Sequence, residues 1–267
     1  AASGAGVAAI DARAALLSDV QLYEEYPARY DADVARRHRW IRGDWQIASW
    51  LLPRVPGYSA GSGARRLRNP LSGLSQWKIF DNLRRSLVPA SLTLLLMLGW
   101  IFSPQPWFWT LAVIGIILIP ILCASILELL RKPAEVLLGQ HIAAAMQAAV
   151  RHLAQAALTL ASLPHEACFS LDAIVRTNWR ILVTRKKLLE WSPSDVPDRE
   201  RALYVRASLP PAVQSMLTAP FIAIAAAIFL ALTRPGALAA AGPILFLWFI
   251  SPGITWWISR PLPRRVA

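Results

Sequence analysis

The chain has 267 residues, of which 55% are hydrophobic and only 16% are charged, and its formal net charge is +12. This composition argues against an ordinary soluble domain. The basic residues flank the apolar runs and are almost absent within them, which excludes nucleic-acid binding and indicates a membrane protein with a cationic cytoplasmic face. The two cysteines, Cys123 and Cys168, provide no disulfide framework.

Residues 1–68 are soluble in character. Asp31 can N-cap a helix that runs to about Leu52 and stops at Pro53. Asp31 and Asp33 resemble a metal-binding DxD pair, but their place at a helix start favours capping. Residues 54–68 combine glycine, proline and arginine, and this mixture predicts a flexible basic loop.

A block at residues 36–46 holds four arginines and two tryptophans with a single acid, Asp44. Arginine guanidinium groups bind phosphate in a bidentate manner, and an indole face can stack on a sugar ring. Helical spacing places on one face Arg36, Arg39, Trp40 and Gly43. The block is therefore a candidate site for a nucleotide sugar, with contact to anionic lipid as the alternative.

Two further polar residues of the block, Arg42 and Asp44, either form a structural salt bridge or line the site. The surrounding arginines favour the ionised form of Asp44, which makes it a poor base and a good anchor. No metal site is predicted in this chain, because no metal-ligand spacing relates His141, His152 and His165.

Residues 69–86 are predicted to form a helix along the membrane surface, which starts at Asn69-Pro70 and ends at Pro89. Trp77 and Phe80 of this interface helix would face lipid or protein. Because both are large and apolar, they suit a segment that leads into a membrane span.

Two transmembrane hairpins are predicted from the apolar runs. The first covers residues 87–130, with spans 87–102 and 107–130, and the second covers 211–258, with spans 211–233 and 237–258. Lysine and arginine concentrate in residues 1–86, 131–210 and 259–267, whereas the hairpin turns carry only Arg234. The positive-inside rule then places both termini and the central region in the cytoplasm.

Residues 131–210 are predicted to be a cytoplasmic region in which amphipathic helices over 142–191 lie on the membrane interface and break near Pro164. A fifth span at 152–171 is the competing interpretation, but it would place His152, His165 and Glu166 at or near membrane depth, at a cost. Ordinary intracellular helices that pack on each other are a second alternative. The predicted fold is mainly α and integral to the membrane, with four transmembrane helices and cytoplasmic interface helices.

The spacing Arg36-x-x-Arg39-Trp40 resembles the [Q/R]xxRW motif of processive inverting glycosyltransferases, the relatives of cellulose and hyaluronan synthases. With Tyr26-Pro27-Ala28-Arg29-Tyr30 and the block at residues 69–87, the chain resembles the cyclic β-1,2-glucan synthases of glycosyltransferase family 84 over about residues 12–262. The resemblance implies that residues 1–68 are the C-terminal end of a cytoplasmic nucleotide-sugar transferase domain.

The same resemblance implies a multi-pass protein of a bacterial inner membrane that transfers glucose from UDP-glucose to a growing β-1,2-glucan with inversion. Carried onto this chain, the family roles place the leaving diphosphate at Arg39 and the acceptor sugar on the face of Trp40. The first motif position, Arg36, would form a hydrogen bond at the acceptor site.

Parts of the family pattern are not matched. A Ser-His-Asp segment that supplies the catalytic base is expected shortly before Ser18-Asp19-Val20, where residues 1–11 read differently. The carboxylates that hold Mg²⁺ or Mn²⁺ in the family are not matched either, nor is the phosphorylase-like domain beyond the last span. We therefore expect part of a larger synthase, inactive alone, whose partners are membrane lipids, UDP-glucose and a glucan acceptor. The alternative is a non-catalytic membrane scaffold or a transporter-like helical bundle.

Overall fold

The computed structural model describes residues 29–57, 65–132, 134–186 and 216–260, and most of these residues are helical. The α-helices are α1 (Tyr30–Gln46), α2 (Gly73–Phe102), α3 (Pro106–Leu130), α4 (Leu138–Trp179), α5 (Thr218–Thr233) and α6 (Leu238–Ile258). Short 3-10 turns cover Ala48–Leu51 and Pro235–Ala237, and a π-helical turn covers Arg180–Thr184. The mainly α prediction is confirmed for these residues, and predictions on 1–28, 187–215 and 261–267 lie outside them.

Three segments are long and apolar enough to cross a membrane: α2, α3 and Pro235–Ile258, which contains α6. α5 is apolar but has only 16 residues, which span about 24 Å against about 30 Å for the hydrocarbon core of a bilayer. The start of the predicted third span, residues 211–215, lies outside the described part of the chain. A membrane protein is thus supported, while the fourth crossing stays a prediction.

The turns of the two predicted hairpins lie against each other. Arg234, after α5, donates from Nη1 to the carbonyl of Ile101 at 2.8 Å and to that of Ser103 at 3.0 Å. These carbonyls stand at the C-terminal end of α2, where helical N–H donors run out. Both turns are therefore at one end of the bundle, as two antiparallel hairpins require.

α1 lies where the sequence predicted a helix, but a different residue occupies its N-cap position. The N-cap residue is Arg29, and its guanidinium pairs with the carboxylate of Asp31 at 3.0 Å. Asp31 is therefore a buried ion-pair partner, and the prediction that it caps the helix is wrong. α1 ends at Gln46, and the 3-10 turn Ala48–Leu51 carries the chain to Pro53.

Two short β-strands form at the two ends of the segment 54–68, which was predicted to be a flexible loop. β1 (Arg54–Gly57) and β2 (Arg65–Arg68) pair antiparallel, with Arg54 opposite Arg68. Asn69 closes the hairpin, because its N–H donates to the carbonyl of Pro53 at 2.9 Å and its amide donates to the carbonyl of Trp50 at 2.6 Å. The loop prediction is wrong for both strands, and residues 58–64 lie outside the described part.

α2 is a single helix of 30 residues that continues through Pro89, so the predicted end of a separate surface helix at Pro89 is wrong. Ser72 caps its start by accepting the N–H of Ser75 at 3.2 Å. A proline inside a helix removes one backbone hydrogen bond. Leu83 and Leu92, on either side of it, are both buried, so both halves of α2 contribute to the packed interior.

The first turns of α2 keep the exposed aromatic side chains predicted for an interface helix. The rings of Trp77 and Phe80 are in contact, with centroids 5.6 Å apart, and both side chains are exposed. Because exposed tryptophan is typical of a membrane–water interface, this geometry suits the predicted location, which stays a prediction.

α4 is a single helix of 42 residues, and the predicted break near Pro164 is wrong. Pro164 has no N–H, so the carbonyl of Leu160, four residues earlier, lacks its usual helical donor. The indole Nε1 of Trp248 in α6 donates to this carbonyl at 3.0 Å. A side chain of another helix thus replaces the missing hydrogen bond, and α4 continues through the proline.

α4 contacts the five other α-helices of the described part. Its middle is buried, including Ser162, Leu163, Pro164 and His165. The predicted interfacial position is therefore not confirmed for α4, whose packing matches the alternative of helices that pack on each other. It is not among the helices whose length and composition suit a span.

Two buried tryptophans stand in the core beside α4. The rings of Trp100 and Trp248 have centroids 5.7 Å apart, and Trp100 Nε1 donates to Thr110 Oγ1 at 2.8 Å. α2 and α3 approach closely at Gly99, where a Cβ would lie 2.4 Å from Cβ of Trp109. No side chain fits between the two helices at this position, so it requires glycine.

Candidate functional site

α1 lies at the end of the bundle opposite the two turns. The N–H of Tyr30 donates to Ser259 Oγ, just after α6, at 3.1 Å, and Trp45 Nε1 donates to Ser86 Oγ in α2 at 3.0 Å. The arginine–tryptophan block is therefore held against the bundle. Its position creates a cavity of ≈ 710 Å³ between α1, α2 and α4, within the range of about 300–1,000 Å³ common for ligand sites.

The α1 wall of this cavity contains much of the arginine–tryptophan block. Arg39, Trp40, Gly43 and Asp44 line it. The guanidinium of Arg36 lies over the Trp40 ring, 4.8 Å from its centroid, and pairs with Asp33 at 2.9 Å. Trp40 thus has a cation beside its ring while its side chain is 59% exposed.

The α2 wall contributes a chain of polar side chains. Asn82 donates from Nδ2 to Asp44 Oδ1 at 3.0 Å, which joins α2 to α1. Arg85 donates to Asn82 Oδ1 from Nη2 and pairs through Nε with Asp81 Oδ2 at 3.1 Å. The carboxylate of Asp44 is therefore oriented by an amide from the facing helix.

The α4 wall contains Glu166, Phe169 and Ser170. Arg37 donates from Nη1 to Glu166 Oε1 at 3.1 Å, and Ser162 Oγ donates to the same oxygen at 3.1 Å. The Arg37 guanidinium also lies 5.2 Å from the Phe169 ring centroid. This ion pair joins α1 to α4 and closes the inner side of the cavity.

Charge states around the ion pair follow from burial and neighbours. Burial acts to lower the pKa of Arg37, but the charges of Glu166, Tyr30 and Asp33 and the hydrogen bond to Glu166 together outweigh it, and the pKa is raised. Burial and the charge of Glu166 raise the pKa of Tyr30. Burial and the charge of Arg37 lower the pKa of His165 to about 4. At neutral pH, Arg37 is thus cationic, whereas Tyr30 and His165 are uncharged.

The structure brings three of the predicted site residues together on the cavity wall: Arg39, Trp40 and Asp44. Arg36 lies against Trp40, and Arg42 lies outside the cavity lining. Their roles in binding remain predictions.

Sequence reasoning did not single out several polar and aromatic lining residues, among them Arg37, Asn82, Arg85, Glu166 and Phe169. The sequence could have pointed to Asn82 and Arg85 as site residues, because both belong to the block at residues 69–87 that carries the family resemblance. Glu166 could also have been identified as a candidate site residue, because it is an acid within a helix rich in alanine and leucine.

The carboxylates of the cavity lining, Asp44 and Glu166, each accept a hydrogen bond from a protein group. Among the residues that the structure describes, no three His, Cys, Asp or Glu side chains come together as a metal site would require. These residues do not fit the Mg²⁺ or Mn²⁺ that the family resemblance implies.

Comparison with known proteins supports the family resemblance. No protein-family model matches the chain. The chain is 30% identical over 252 residues to the cyclic β-(1,2)-glucan synthase NdvB of Rhizobium meliloti (strain 1021). The match covers 93% of this chain and 8% of NdvB. The resemblance indicated by the arginine–tryptophan block is thereby confirmed: over nearly all of its length, this chain is related to one segment of a cyclic β-(1,2)-glucan synthase.

Proposed function

We propose that the chain is the membrane module of a glycosyltransferase that transfers glucose from UDP-glucose to a growing β-1,2-glucan. The observation that carries this proposal is the cavity of ≈ 710 Å³ in which Arg39, Trp40 and Asp44 meet polar side chains of α2 and α4. Similarity to a glucan synthase favours glycosyl transfer in general. The residue types of the cavity favour a nucleotide sugar and a sugar acceptor.

Each group has its own task in this proposal. The Arg39 guanidinium binds the departing diphosphate through parallel N–H donors and stabilises the charge that develops on it. Trp40 stacks on the acceptor sugar. Asp44 anchors the site, since its carboxylate is fixed by Asn82.

The reaction in this proposal is an inverting displacement. A base takes the proton of the acceptor hydroxyl, the hydroxyl oxygen bonds to the anomeric carbon of glucose, and the bond from that carbon to UDP breaks. The base and the carboxylates that hold a divalent cation belong, in this proposal, to a part of the synthase outside these residues. The module lies in a bacterial inner membrane with its arginine–tryptophan block on the cytoplasmic side.

The test uses the parent protein, meaning the longest natural polypeptide that contains this chain. Arg39→Lys keeps the charge but loses the planar fork that grips a diphosphate. Loss of one contact that stabilises the transition state costs on the order of 3 kcal/mol, or about a hundredfold in the rate of glucose transfer. Membrane insertion, measured by fractionation, should be unchanged.

Arg84→Lys is the matched control. Arg84 pairs with Asp81 on α2, has a side chain that is 55% exposed, and lies outside the cavity lining. We expect this variant to transfer glucose at the rate of the unaltered protein. Undiminished transfer by the Arg39→Lys protein would remove the diphosphate role, and a parent protein that transfers no glucose would refute the proposed function.

A further inference from the structure

The side chains that join α1 to α2 form a polar edge along the cavity. Asn82 donates to Asp44 Oδ1 at 3.0 Å, and Arg85 donates to Asn82 Oδ1. All three residues line the cavity, although Asp44 and Asn82 are 38 positions apart in the chain. The amide uses both of its ends within this chain of contacts, and therefore acts as a spacer between a carboxylate and a guanidinium.

This edge retains capacity to bind a ligand. A carboxylate has two oxygens with about four acceptor positions, and the contact with Asn82 uses one of them on Oδ1. A guanidinium has five N–H donors, and the contacts of Arg85 use Nε and Nη2. Its side chain is 63% exposed. The edge can thus accept one hydrogen bond and donate another to the same molecule.

Trp40 lies next to this edge. It precedes Asp44 by four residues on α1, so the two side chains are neighbours on one helix face. A pyranose has apolar C–H faces and a rim of hydroxyl groups. A stacking plane beside an acceptor and a donor is complementary to both parts of such a ring.

The charge of the edge separates it from the diphosphate site. Asp44 repels an anion, and the charge of Arg85 is already paired with Asp81. A neutral sugar instead gives the carboxylate of Asp44 a hydroxyl donor without repulsion. Arg39 lines the same cavity, and its charge suits the diphosphate. The cavity therefore contains one wall position suited to phosphate and another suited to hydroxyl groups.

We propose that Asp44 and Arg85, spaced by Asn82, form the binding subsite for the acceptor sugar and hold two adjacent hydroxyl groups of a hexopyranose that stacks on Trp40. This inference rests on the proposed function and adds to it the α2 residues that recognise the acceptor. It makes the α2 helix, which continues into the membrane, a wall of the site.

The test measures acceptor and donor binding separately in the parent protein. The probe is a short β-1,2-linked glucose oligosaccharide, assayed by equilibrium binding without UDP-glucose and by the acceptor KM of glucose transfer. Asn82→Ala removes the spacer and should weaken acceptor binding about tenfold, as loss of an ordered hydrogen-bonded contact does. UDP affinity should change by less than about twofold, whereas Arg39→Lys should weaken UDP binding and leave acceptor binding unchanged.

Three further variants distinguish a role in ligand recognition from a purely structural role. Asn178→Ala is the matched control, because Asn178 donates to the carbonyl of Ile174 on α4 and lies outside the cavity lining. Asn82→Asp places two carboxylates together and should weaken acceptor binding as well. Combining it with Asp44→Asn exchanges amide and carboxylate, restores the contact between the two residues and should recover most of the acceptor affinity.

Different outcomes would overturn different statements. Equal loss of UDP and acceptor binding in the Asn82→Ala protein would make Asn82 a structural residue and refute the subsite. Unchanged acceptor binding would also refute it, while a loss of transfer in the Arg39→Lys protein would leave the proposed function standing. A parent protein that binds neither UDP nor the oligosaccharide would refute the proposed function itself.

Discussion

At the scale of single residues, the environment of Trp40 decides how it can meet a ligand. Arg36 approaches the indole ring at 4.8 Å and is held there by its ion pair with Asp33. An aromatic ring has two faces, so a cation on one face leaves the other for a sugar. In the proposed site, Arg36 thus lies behind Trp40, and the hydrogen bond at the acceptor site that the family resemblance implies for Arg36 stays a prediction.

Trp40→Ala should raise the acceptor KM on the order of tenfold and shorten the glucan products, because stacking is lost while the charge of the site is kept. The KM for UDP-glucose should change little. Trp77→Ala is the matched control, since Trp77 is equally exposed, at 59%, and lies outside the cavity lining. Product length measured by size-exclusion chromatography checks the prediction, and equal effects of both substitutions would contradict it.

His165 should make stability depend on pH. Its pKa in the folded protein is about 4, against 6.5 for an ordinary histidine, so the unfolded chain binds more protons between these values. The contribution to stability is complete above about pH 6.5 and decreases as the pH falls towards 4. The midpoint of thermal unfolding in detergent should fall more steeply from pH 7.5 to 5 in the unaltered protein than in His165→Gln. Parallel decreases in the two proteins would refute this assignment.

At the scale of elements, the helices α2 and α4 show that proline does not by itself end a helix. Pro164 leaves the carbonyl of Leu160 without its helical donor, and Trp248 supplies an indole N–H to that oxygen. The donor comes from 88 residues away. At Pro164, the continuation of the helix is therefore supported by a partner that the fold places beside it.

This replacement predicts coupling between Trp248 and Pro164. Trp248→Phe removes the donor and leaves a buried carbonyl unsatisfied, which costs about 1–3 kcal/mol of unfolding free energy in addition to lost packing. In a Pro164→Ala background, the restored backbone N–H can satisfy that carbonyl, so the same substitution should cost about 1 kcal/mol less. A double-mutant cycle of unfolding free energies measures the difference, and strict additivity would contradict the role of the indole N–H.

The predictions that succeeded depend on local sequence, whereas several that failed depend on long-range contacts. The helical position of Arg39 and Trp40 follows from local spacing, and the apolar runs identify the candidate spans by composition alone. The partners of the block do not follow, because Arg37 meets Glu166 across 129 positions and Asp44 meets Asn82 across 38. The hairpin at residues 54–68 was missed for the same reason, since Asn69 stabilises it with contacts that glycine and proline content does not reveal.

At the scale of the whole molecule, the described bundle has two ends of different chemistry. One end has the turns at Ser103 and Pro235–Ala237, and the other has α1 with the cavity. The distribution of lysine and arginine predicts that the first end faces the periplasm and the second the cytoplasm. The contact of Arg234 with Ile101 and Ser103 suits this arrangement, because both turns must then lie on one side.

Cysteine-accessibility labelling tests this orientation in intact cells. In a background without Cys123 and Cys168, single cysteines at Ser103 and Gly236 should react with a membrane-impermeant maleimide. A cysteine at Arg185 should react only after the cells are opened. Labelling of the Arg185 position in intact cells would refute the topology, and protection of Ser103 or Gly236 would refute the paired turns.

The contact of Arg234 also bears on how the protein is made. Ile101 and Ser103 leave the ribosome long before Arg234, which follows Ser103 by 131 positions. Until the later segment arrives, the end of the first hairpin must keep those two carbonyls hydrated at the membrane surface, since an unsatisfied carbonyl in hydrocarbon is costly. Insertion of the early hairpin and its final packing in the bundle are therefore separate events, and the second waits until the segment that carries Arg234 has been translated.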